Sequence, residues 1–169
     1  MPEKKRLRWI RAFSFLLFFL LFILHYTDLL SLRIRGVSPL SLLPLLTAFA
    51  MFETLPAAAV SGLLVGICMD GAADTLCFHA VFLLLAASLV SVLSNNLFNK
   101  NIRAAAVLTL FLSFSYFFLR WLLFYAFTAG MRDNLSYLLY FAFPSILYTE
   151  LFILPFYFLY RRCYHPKGG

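Results

Sequence analysis

Residues 61–80 read SGLLVGICMDGAADTLCFHA. Two glycines four apart lead to an aspartate, a second aspartate follows in a polar stretch, and a histidine opens the next apolar run. In water such a segment would suggest a ligand loop. In lipid it describes the end of a helical hairpin, because small residues at four-residue spacing share one helix face and let a neighbouring backbone approach. The flanking composition decides between the two. Of 169 residues, 63% are hydrophobic and 12% charged, with 21 phenylalanines, and the mean hydropathy is +0.90. Soluble domains carry about 25% charged residues. The chain therefore reads as an all-α integral membrane protein.

Lipid offers no partners for backbone N–H and C=O, so each crossing takes a helix of about 20 mainly apolar residues. Six segments are candidates: 9–30, 38–53, 56–70, 79–95, 104–128 and 136–160. Together they predict a single membrane domain over 1–169, a compact bundle of about six transmembrane helices without a soluble domain. The second, which holds Pro44, and the third are the shortest; tilt, a kink or partial re-entry would account for that. The first has the basic start of a signal peptide, but its apolar stretch is too long and no small-residue cleavage site follows, so it reads as a retained anchor.

Lys4, Lys5, Arg6, Arg8, Arg11, Lys100, Arg103, Arg161, Arg162 and Lys167 make ten of the 14 basic residues. With six spans they all fall on one side, against Arg33, Arg35 and Arg132 on the other. Basic residues favour the cytoplasmic side, which places both termini there, in a multi-pass protein of a bacterial cytoplasmic membrane. The net charge of +7 is then a topology signal, and nucleic acid is not an expected partner. Cys68, Cys77 and Cys163 form no C-x-x-C pair; Cys68, inside span three, reads as a small buried apolar group. The chain lacks a G-x-x-x-x-G-K-[ST] loop, a G-x-S-x-G elbow and an H-E-x-x-H helix, which argues against an enzyme or a cofactor.

Polar residues inside the spans fall into stripes. Ala58, Gly62 and Gly66 form a helix-packing face that continues to Asp70, whose carboxylate is expected to point into the bundle. Ala105, Thr109, Ser113, Tyr116 and Arg120 form a second stripe opposite a Phe- and Leu-rich side. A charge inside a span needs a partner, and depth points Arg120 to Asp70 first and Glu150 second. Glu150 lies in FPSILYTELFILPF (143–156), where Pro144 and Pro155 are expected to bend the last span. Pro56 suits the first turn of a helix. Glu53 reads as a solvated loop charge, and Asp133 with Asn134 as an external turn. Asp70, Asp74 and His79 offer ligand atoms, but their spacing matches no established metal loop. The better reading is a packed external turn, with Asp74 capping the fourth span and His79 hydrogen-bonded within the turn.

Gly62, Gly66, Asp70 and the His79-Ala80 pair, together with the C-terminal PSILYTELFILPFYFLYRR (144–162), resemble the rod shape-determining protein MreD family. The resemblance covers most of the chain in layout and about two segments in motif. Thr75, Leu76 and Cys77 stand where family members often carry a glycine, and Glu150 where an Asn is common. The resemblance implies a non-enzymatic membrane subunit of bacterial cell-wall elongation. Its implied partners are an MreC-like bitopic protein, the actin-like MreB and the wall-synthesising transpeptidase and glycosyltransferase. It also implies a fold similar to the substrate-binding subunits of energy-coupling-factor transporters, and a vitamin-binding subunit of that kind is the alternative. Such subunits often dock through an Ala-x-x-x-Ala face on span one, whereas FSFLLFFLLFILHY (13–26) is bulky throughout.

Overall fold

Apolar runs too long to fold against water become helices in a computed structural model, which describes residues 3–27, 40–96, 100–124 and 142–164. In chain order these are α1 (Glu3–Tyr26), α2 (Leu42–Phe52), α3 (Leu55–Ala73), α4 (Phe78–Asn96), α5 (Ile102–Phe124), α6 (Phe143–Leu151) and α7 (Ile153–Tyr164). Five stretches are long and apolar enough to cross a membrane: Lys5–Tyr26, Leu55–Ala73, Phe78–Asn96, Ile102–Leu123 and Phe143–Tyr164, the last formed by α6 and α7. The protein is an all-α membrane bundle. Arg33, Arg35, Arg132, Asp133, Asn134 and Lys167 lie outside the described residues, as do parts of the expected first, second, fifth and sixth spans.

The second expected span needs correction. Its helix, α2, has 11 residues, about 16 Å at the α-helical rise, roughly half the ~30 Å hydrocarbon thickness. Every residue of α2 is buried, so its apolar surface meets protein on all sides. It packs against α4, α5 and α7 and forms the centre of the bundle. Pro44 sits in its first turn, where a missing amide costs little.

In the last span, Pro155 has no N–H to offer the Leu151 carbonyl four residues back. Helix α6 ends there, Phe152 donates instead to Thr149 O at 3.1 Å, and α7 restarts at Ile153. Pro144 stands in the first turn of α6.

Arg6 joins the two ends of the chain, donating to Cys163 O at 3.2 and 2.5 Å and to Tyr164 O at 2.7 Å. At the same end the Tyr157 hydroxyl donates to Lys100 O at 2.6 Å. At the opposite end the Tyr26 hydroxyl donates to Met69 O at 3.3 Å. Helices α1 and α3 therefore point the same way, and Lys5, Arg6, Arg8, Arg11, Lys100, Arg103, Arg161 and Arg162 gather at one end of the bundle.

Glu53 corrects a second expectation. It is not solvated but only 3% exposed, held by Arg11 Nε and Nη2 at 2.9 Å each and by the Tyr164 hydroxyl at 2.6 Å. The Thr54 amide adds a donor at 3.2 Å. Burial alone would raise this carboxyl, but the donors from Arg11, Tyr164 and Thr54 outweigh it and hold it below the ordinary 4.5. Glu53 thus ties α1 to the start of α3 and to α7. Arg11→Leu strands a buried carboxylate; with the Arg11 side chain 41% exposed, the expected loss is about 1–3 kcal/mol. Adding Glu53→Gln should restore part of it in a thermal-unfolding series. A depressed folded value means that the stabilisation is full above the ordinary value and is lost as pH falls through the folded one. The penalty of Arg11→Leu should accordingly shrink in acid.

Candidate functional site

Among the described residues, helices α3 and α4 make the most extensive helix pairing, and glycines permit it. A Cβ on Gly66 would lie 2.6 Å from both Ala80 N and His79 O. One on Gly62 would lie 2.9 Å from the Leu83 carbonyl carbon and 3.0 Å from Ala87 Cβ. Ala58, one turn before Gly62, is fully buried. The Ala58, Gly62, Gly66 face thus meets α4, backbone on backbone.

Asp70 ends this stripe and closes the hairpin. Its Oδ1 accepts the Thr75 hydroxyl at 2.6 Å, the His79 amide at 2.9 Å and His79 Nδ1 at 2.8 Å. Its Oδ2 accepts the Ala80 amide at 2.8 Å. Amides of an opening helical turn lack partners within their own helix, and here a carboxylate from the preceding helix supplies them. The cap of α4 is therefore Asp70 and not Asp74, which is exposed. Asp74 instead ends α3 in the left-handed region at φ 52°, a conformation that Asp tolerates better than most residues.

His79 is hydrogen-bonded within the turn as expected, through Nδ1 to Asp70 and Thr75, and is only 2% exposed. Its Nε2 lies 2.8 Å from the Tyr116 hydroxyl on α5. With the Nδ1 proton directed to Asp70, Nε2 accepts from Tyr116. Arg120, one turn along α5, brings Nη1 to 3.5 Å from the same hydroxyl. The sequence stripe on α5 is an inward face: Ala105, Thr109, Ser113 and Tyr116 are all at most 1% exposed. The order Arg120, Tyr116, His79, Asp70 links three helices.

The direct ion pairs expected for Arg120 are corrected by this geometry. The carboxylate of Asp70 is occupied by Thr75, His79 and Ala80, and two rings stand between it and the guanidinium. Glu150 does not replace it, because both of its oxygens are enclosed without a hydrogen-bond partner. Depth along the helices brought the right residues to one level but could not count the aromatic side chains between them. Cys68, expected to be buried, is exposed on the outer side of α3.

Thr75 and Tyr116 are the participants that a list of charged residues omits. The signal for Tyr116 was its place in the α5 stripe, one turn before Arg120. Thr75 gave a weaker one, a hydroxyl in a turn next to acidic residues.

A carboxylate, an imidazole and a hydroxyl in sequence is an arrangement that can move protons. Here the hydroxyl belongs to a tyrosine 1% exposed, so no substrate atom reaches it. What the arrangement does is fix the α3–α4 turn against α5 with every polar atom of Asp70 and His79 satisfied. Among the described residues, no group of three or more His, Cys, Asp and Glu side chains could hold a metal ion. No family model matches the chain, and neither a curated protein nor a solved structure does so.

Proposed function

We propose that this chain is a non-enzymatic membrane subunit of the bacterial cell-wall elongation complex, contributing to rod shape by binding other subunits. One observation carries the reading. The segment from Gly62 to Ala80, whose pattern resembles the MreD family, is also the segment on which the fold turns. Its polar groups are engaged inside the molecule, which supports a binding role over catalysis. In this reading the basic end of the bundle, with both termini, faces the cytoplasm across the bacterial cytoplasmic membrane. The partners are an MreC-like bitopic protein, the actin-like MreB and the wall synthases. Large apolar side chains on α1, among them Trp9, Leu16 and Phe19, are more than half exposed and suit contact with lipid or with other membrane helices.

Depletion from a rod-shaped host is expected to produce rounded cells, and affinity purification from its membranes to recover an MreC-like or wall-synthesis protein. Rods that keep their shape, together with recovery of a transporter ATPase module alone, would replace this reading with that of a vitamin-transporter subunit.

A further inference from the structure

An open groove of about 360 Å³ runs between α1 and α3 at the basic end of the bundle, within the ~300–1,000 Å³ common for small-molecule sites. We propose that it binds one acyl chain and the phosphate headgroup of an anionic phospholipid. The walls divide by chemistry. Phe15, Phe49, Ala57 and Val60 form an apolar channel, while Arg11 and Thr54 stand at its mouth.

The mouth has donors to spare. Arg11 gives Nε and Nη2 to Glu53, which fixes the plane of the guanidinium and leaves Nη1 without a partner among the described residues, on a side chain 41% exposed. The Thr54 hydroxyl makes no cap bond to α3. The first-turn amides of α3 at Leu55 and Ala57 have no backbone partner, while the amide of Ala58 donates to Thr54 O. Oriented donors at a helix start favour an anion. Arg8, three residues before Arg11 and so on the same side of α1, is exposed and adds charge at the level of the mouth. The Arg11 charge cancels that of Glu53 within their ion pair, so the pair does not repel an anion and the net positive charge at the mouth is that of Arg8. Phosphate therefore meets a spare guanidinium N–H, a hydroxyl that makes no cap bond and the positive charge of Arg8, and the chain below it meets a mainly apolar wall.

Native mass spectrometry of the full-length protein tests this, with phosphatidylglycerol or phosphatidylcholine of matched acyl chains added to the detergent. Retention of the anionic lipid is expected to exceed that of the zwitterionic one by about five- to tenfold. Val60→Trp, at a position 53% exposed, fills the channel from outside and should abolish the preference. Thr54→Val should weaken it and carries the test if the tryptophan variant fails to fold. Arg161→Gln with Arg162→Gln removes two charges from the same end of the bundle but away from the groove, and should leave the preference intact. Equal retention of the two lipids, an unchanged preference in Val60→Trp or Thr54→Val, or an equal loss in the Arg161/Arg162 variant would each overturn the proposal.

Discussion

Gly66→Leu is expected to abolish accumulation of folded protein in the membrane, and Gly66→Ala to reduce it severely. The side chain would enter the space of Ala80 N and His79 O, each 2.6 Å from its first carbon. These are backbone atoms of a helix whose first turn is fixed by Asp70, so no rotamer change relieves the clash. Overpacking a core costs about 1–3 kcal/mol when side chains can yield, and more when only whole helices can move. Against a typical net stability of about 5–15 kcal/mol, the leucine variant loses the α3–α4 pairing itself. Gly71 supplies the control, since a Cβ there meets nothing within 4 Å. Membrane protein levels and thermal unfolding in detergent should therefore separate Gly66→Ala from Gly71→Ala. If the two behave alike, the close approach of α3 to α4 is wrong.

Asp70→Ala is expected to be nearly as damaging. It removes the acceptor for the amides of His79 and Ala80, for the Thr75 hydroxyl and for His79 Nδ1, all in one enclosed place. Losing a buried, multiply bonded charge costs about 3–5 kcal/mol. Asp70→Asn keeps one oxygen as acceptor and turns the other into a donor facing donors, so its loss should fall between alanine and wild type. The measured order of unfolding temperatures should be wild type, Asn, Ala. An asparagine variant as stable as wild type would show that the carboxylate caps nothing.

The parts of this fold that were legible in the sequence are those that periodicity and composition encode. Spacings of three and four residues placed Ala58, Gly62 and Gly66 on one face and Thr109, Ser113 and Tyr116 on another, because helix geometry leaves no alternative. The misread parts depend on what lies opposite. Apolar residues look the same whether lipid or protein covers them, so 38–53 read as a crossing when α2 is a buried core. Glu53 stands in the break between α2 and α3, where a charge is usually solvated, and its partner Arg11 lies in a different helix. For Asp70, local depth suggested a cation, whereas the nearest unsatisfied donors were the amides beginning the very next helix. A string of residues shows which groups need partners; only the packed chain shows which partner arrives first.

The buried position of α2 also sets an order of assembly. A long apolar helix can rest in the bilayer as soon as it is made. An 11-residue helix cannot bridge the hydrocarbon alone, and its place is built from α4, α5 and α7, all made after it. The hairpin of α3 and α4, adjacent in sequence and joined by a short turn, can close first at low entropic cost. Helix α2 must then wait, incompletely covered, until α7 is synthesised. The arrival of α7, when Arg6 meets the carbonyls of Cys163 and Tyr164, is thus the moment at which the centre of the protein becomes solid.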